Sequence, residues 1–209
     1  MATAGAEPER PPTYHPRLEF AVTAEQDGVD GRVELLEDAR ITPGQRSALE
    51  RWHHGAECDG TIVEVCRSVE SYELMLSRFR LVDHNGSELG LRELEEPFAE
   101  VELVYLGPDR RPTYMVTVDM SIGAGAYNGP VTRFAEVSRG ALHWLTAVDA
   151  SGHVEEIAVM SSLRTAWHLT PRLDGRGQDI LFMYAVAADS GRRVRCVFRR
   201  DLNADSGTT

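Results

Sequence analysis

The chain has 209 residues, 42% of them hydrophobic and 26% charged, a composition that folds and excludes disorder throughout. Its formal charge is 22 − 33 = −11, which disfavours nucleic acid as a partner except through a local basic patch. All 22 basic residues are arginine, and a lysine-free chain cannot carry a Schiff base, a pyridoxal linkage, a P-loop or a kinase lysine. Arginine-favouring codons account for such a bias, and so does selection against an amine open to modification.

Residues 1–16 hold Pro8, Pro11, Pro12 and Pro16 among acids and read as a disordered tail, with 204–209 as a second. The opening MATAGAEPERPP lacks the basic cap and apolar stretch of a leader, and no apolar run is long enough to span a bilayer. The expected location is cytoplasmic.

Strands are predicted over 17–22 and 32–36. A helix follows at Thr42, where Thr-Pro-Gly-Gln supplies an N-cap, a proline at the first helical position and the capping-box glutamine Gln45. Gly55 ends it, and His53 and His54 then fall in the last turn, where an imidazolium complements the helix dipole. Further strands are expected over 61–67 and 72–82, with a hairpin turn at Asp83-His-Asn-Gly86 and a helical turn over 91–96. The glutamates from Glu88 to Glu102 read as a solvated face.

From Val101 the chain reads as an antiparallel meander with strands at 101–106, 113–120, 131–138, 141–148, 154–169 with a bend, 178–187 and 193–200. The fold class is therefore mainly β (α+β): an antiparallel barrel or sandwich in a single domain over 17–203, with one clear helix in its N-terminal half.

Chemistry-bearing residues are sparse. Cys58, Cys66 and Cys196 are odd in number and read as reduced thiols. With His53 and His54 the first two lack metal-ligand spacing, so neither a metal nor a cofactor is expected. The glycine-rich loop 123–130 leads into a strand pattern instead of a helix, and suggests a flap that brings Tyr127 and Asn128 to a ligand. Asp119 precedes that loop and His143 lies on a strand that could neighbour it; a carboxylate orienting an imidazole would make a general base. Trp144 and Trp167 are candidates to line an apolar pocket, against the commoner role of aromatic residues as core.

Charge is unevenly placed. Residues 1–105 hold 10 Arg and 22 acids, or −12, and 106–209 hold 12 Arg and 11 acids, or +1. On a terminal strand of period two, Arg193, Arg195, Val197 and Arg199 share one face and Val194, Cys196 and Phe198 the other. An acidic front half and a basic last strand invite self-association. The leading expectation is a non-enzymatic binding or protein-interaction module whose partner is a protein, a second copy or a small apolar ligand. The alternative is a small cofactor-independent lyase, isomerase or cyclase built on Asp119 and His143.

Overall fold

The computed structural model describes residues 13–53, 57, 77–94, 99–119, 129–148, 152–161, 165–185 and 193–198. The fold is mainly β and its ladders are antiparallel but for one bridge. The expected strand at 61–67 lies outside the described residues.

The first four strands form one meander: β1 (Tyr14–Val22), β2 (Gly31–Asp38), β3 (Ser77–Asp83) and β4 (Glu88–Leu94), paired in the order β1-β2-β3-β4. A short helix α1 (Ala24–Asp27) sits in the β1–β2 connection, and α2 (Pro43–His53) follows β2. Strand β1 begins at Tyr14, ahead of the expected start at Arg17. It accommodates Pro16 because β1 is an edge strand with a register shift between Pro16 and Leu18.

The capping box of α2 forms as its sequence implies. The Gln45 amide donates to Thr42 Oγ1 at 3.3 Å, and Gln45 Oε1 accepts from the Thr42 amide at 2.9 Å. The turn at 83–86 also forms: Asp83 Oδ1 accepts from the amides of Asn85 and Ser87, each at 2.8 Å, and Gly86 supplies φ +83°. The helical turn expected over 91–96 is instead strand β4 up to Leu94. Its pairing with β3, Arg92 opposite Phe79 and Leu94 opposite Ser77, overrides the local propensity.

The second sheet contains β5 (Ala99–Leu106), β6 (Arg111–Asp119), β7 (Pro130–Ser138), β11 (Ala158–Met160), β12 (Thr165–Pro171) and β13 (Gln178–Ala185), in the order β11-β7-β6-β5-β13-β12. Strand β8 (Ala141–Trp144) extends β7, and β14 (Arg193–Phe198) pairs with β13. Strands β9 (Thr146–Val148) and β10 (Val154–Glu156) form a separate hairpin. The span expected at 154–169 is thus divided among three strands. Among the described residues one parallel bridge joins Gln178 of β13 to Leu106 of β5, and the strand order closes no barrel.

Alternation along the strands gives each sheet two faces. Val33, Leu35, Phe79 and Leu81 of the first sheet bury themselves with Val101, Tyr114, Val116, Val118, Ala135 and Val137 of the second. The other face of the second sheet carries a separate cluster in which Phe134, Val104 and Leu106 meet Val159 and Ile180, with Trp167 and Leu169 against it. The central strands of the second sheet are therefore covered on both faces.

On the far face of the first sheet Glu34 is fully buried, directly opposite Arg80 in the ladder. It accepts from Arg32 Nε at 2.6 Å and Arg80 Nε at 2.7 Å, one on each carboxylate oxygen. Both oxygens are satisfied by charge-assisted bonds, which is what permits a carboxylate at that depth.

Candidate functional site: the crevice between β1 and β5

The register shift in β1 leaves Arg17 as an extra residue, since Pro16 stands opposite Leu36 and Leu18 opposite Leu35. A bulge of this kind re-aims a side chain. Here it carries the guanidinium across the opening between the sheets, where Arg17 Nη2 donates to the backbone carbonyl of Ala99 at the start of β5. A crevice of about 300 Å³ lies around this contact, lined by Arg17 and Leu18 of β1, Glu100, Val101 and Glu102 of β5, and Met115 and Thr117 of β6.

Glu100 and Glu102 lie two residues apart on one face of β5, so their Cα atoms stand about 7 Å apart. Behind Glu100 in the ladder is Thr117, whose hydroxyl shares a 2.8 Å hydrogen bond with that of Thr132. Burial pushes the Arg17 guanidinium below its usual range, and the negative charges of Glu100 and Glu50 oppose that shift. Arg46 of α2 shows the same lowering by burial, with Arg17 adding to it and Glu50 opposing it. Arg46 also pairs with the buried Glu37 at the end of β2, and with Glu50 at 3.0 Å. Two arginines and their acids thus converge where β1, α2 and β5 meet, and guanidinium groups hold their charge at any pH at which the protein is folded.

Among the described residues, the edge of β5 beside this crevice is open. Ala99 presents its carbonyl to Arg17 and Gly107 donates its amide to Gln178, so the odd-numbered residues of β5 turn their backbone groups away from β6. Beyond Ala99 and short of the bridge at Leu106 and Gln178, no described strand pairs with that edge. Val101 and Leu103 therefore present N–H and C=O groups without a ladder partner among the described residues. On the same side Leu18 and Leu103 are each 36% exposed and Tyr105 is 42% exposed. An unlatched edge flanked by apolar side chains and two carboxylates is a surface that can accept an extended chain.

The residues singled out from sequence are dispersed. Asp119 stands opposite Pro130 and His143 opposite Glu136, so the two lie at either end of β7, roughly 20 Å apart by strand rise. They do not form a pair, because the 120–129 connection joins β6 to the far end of β7. The exposed His143 instead has the buried Glu136 as its cross-strand neighbour.

Trp144 and Trp167 do not share a pocket either. Trp144 stacks on Phe79 at 6.0 Å within the core between the sheets, whereas Trp167 meets Phe134 edge-on at 5.8 Å on the other face of the second sheet. Tyr127, Asn128 and Arg199 lie outside the described residues. Arg193 and Arg195 stand on β14 opposite Ala185 and Met183, on a strand that has no second ladder partner among the described residues.

Sequence reasoning passed over Arg17 and read Glu100 and Glu102 only as part of a solvated face. Their signal is a proline–arginine pair where the predicted tail meets the first predicted strand, and the alternation of Glu100 and Glu102 with Val101 and Leu103. Among the described residues no cluster of three or more His, Cys, Asp or Glu side chains could hold a metal, and no helix is long and apolar enough to cross a membrane. The chain matches no protein-family model, and comparison with curated proteins and with solved structures gives no match.

Proposed function

We propose that this chain is a binding module whose partner is a protein, engaged along the open side between β1 and β5. The observation that carries the reading is the edge of β5, where the backbone groups of Val101 and Leu103 have no described ladder partner beside exposed Leu18, Leu103 and Tyr105. Backbone hydrogen bonds to that edge would supply affinity, and the alternating glutamates and apolar residues would supply choice of partner. A sandwich-like arrangement fits such a scaffold, since residues of both sheets share one apolar cluster.

Affinity capture with purified full-length chain tests this. Proteins retained by the wild type should be lost with Glu100→Arg/Glu102→Arg/Leu103→Asp and kept with Leu173→Asp, which alters a fully exposed residue in the 172–177 turn. Equal retention by both variants would remove the reading.

A second reading, catalysis by a small cofactor-independent enzyme, is favoured by one observation. His143 is exposed and stands opposite the buried carboxylate of Glu136, an arrangement that could orient an imidazole as a base. Full turnover by His143→Ala on an identified substrate would dismiss it.

A further inference from the structure

The open edge of β5 and the last strand of the same chain have complementary patterns. Along β5, Glu100 and Glu102 occupy one face and Val101, Leu103 and Tyr105 the other. Along β14 the sequence Arg-Val-Arg-Cys-Val-Phe places positions 193 and 195 on one face and 194, 196 and 198 on the other. Glu100 and Glu102 share their face of β5 with Val104 and Leu106, and positions 193 and 195 share theirs with position 197, so the two strands carry opposite charge at alternate positions over part of their length.

Within one chain the two strands cannot pair along their length. Both lie on the same side of β13, β5 reaching it at Gln178 and β14 along Ile180 to Ala185. The strand β14 is thus already placed in the column of β5, beyond its end. A pairing between them has to come from another molecule.

Pairing of β5 with β5 of a second copy is disfavoured by charge. An antiparallel two-fold centred on the open stretch would set Glu102 against Glu102, and like charges directly opposite destabilise a ladder. A β14 strand set against β5 replaces that repulsion with Arg–Glu pairs on one face and continues the exposed apolar strip on the other.

Resting on the proposed function, we infer that the partner at the β5 edge is a second copy of this chain, which adds its β14 strand to β5 and extends the sheet from one protomer into the next. Such a contact is head-to-tail. It leaves an unused β5 on one protomer and an unused β14 on the other, so it grows into a ring or an open chain of protomers instead of stopping at a two-fold dimer. The charges make it salt-sensitive, because the Debye length shortens from about 10 Å at 0.1 M to about 3 Å at 1 M.

Sedimentation of the full-length protein across a concentration series, at low and high salt, tests the inference. The expected result is a mass above the 23.2 kDa protomer that falls with dilution and with salt. Glu100→Arg/Glu102→Arg and Arg193→Glu/Arg195→Glu should each weaken self-association at least about tenfold, the equivalent of two opposite-charge cross-strand pairs. An equimolar mixture of the two variants should recover it, since each then offers the strand that the other lacks. Leu103→Pro removes an outward amide without touching the β5–β6 ladder and should leave a folded monomer.

A wild type that remains monomeric at every concentration overturns the inference, as does an oligomer indifferent to the charge variants or a mixture that fails to recover. A monomer that still retains a different protein through the open side would keep the proposed function and lose only the second copy as its partner. A monomer that retains no protein through the open side would lose both readings.

Discussion

The two long sides of the packed sheets are finished differently. On one side β8 comes against β3 and β4: Trp144 stacks on the fully buried Phe79, and Gly90 of β4 lies against Leu142, where a Cβ would make an ordinary contact at 3.4 Å. On the other side β1 and β5 are bridged by the reaching guanidinium of Arg17, and apolar side chains remain in water around it. A small residue and a ring stack seal one side; a bulge, two arginines and several carboxylates keep the other from collapsing. The same core therefore supports one side closed by packing and one side that, among the described residues, keeps apolar side chains exposed.

The contrast can be broken most severely at its sealed side. Phe79→Ala removes a ring in contact with both Tyr114 and Trp144 and should cost about 3–5 kcal/mol in urea or guanidinium unfolding. The sharpest comparison pairs two leucines. Leu81→Ala, at a site with no exposure, should lose about 2–5 kcal/mol, while Leu103→Ala on the open side should stay below about 1 kcal/mol and act on association instead. Near-equal losses would mean that the open side is as structural as the closed one.

Gly177 holds the junction at which β13 meets β5. It has φ +65°, and a Cβ would fall 2.1 Å from the Gly107 carbonyl oxygen. Gly177→Ala should destabilise by about 1–3 kcal/mol and raise amide exchange at Gly107, whose N–H bonds Gln178. Unchanged exchange at Gly107 would show that this bridge does not position β5.

The smallest effects concern pH. Burial raises the Tyr114 phenol above its usual value, with the negative charge of Asp27 adding to it. An unfolded chain loses that proton near pH 10 while the folded one keeps it, so stability should fall with rising pH above about 10, and Tyr114→Phe should flatten that limb. At the acid end burial works to raise the Asp38 carboxyl, but hydrogen bonds from Arg40 outweigh it and hold the group below the usual range. Its contribution is present above the unfolded value of about 4 and fades as pH falls through the lower folded value; Asp38→Asn should remove that part of the acid-induced loss.

What could be read in advance follows the range of the forces concerned. The capping box at Thr42 and Gln45, the turn at Asp83 to Gly86 and the alternation of β5 to β7 are local, set by side chains a few residues apart. Leu91 to Leu94 misled because helix-like composition there is overruled by pairing with β3. Asp119 and His143 looked compatible because strand neighbours can be guessed, whereas the direction and register that set them at opposite ends of β7 cannot.

By itself the sequence determined a lysine-free, acidic, mainly antiparallel β-protein with one capped helix, and it marked a basic last strand. Only the tertiary structure decided that Trp144 and Trp167 belong to opposite faces of one sheet. It also decided that Arg17 bulges toward Ala99 and that, among the described residues, no strand covers the edge of β5 beside two glutamates. Those properties depend on which strands pair and on a one-residue slip in register, and a single slip moves a side chain from one face to the other without changing any local preference.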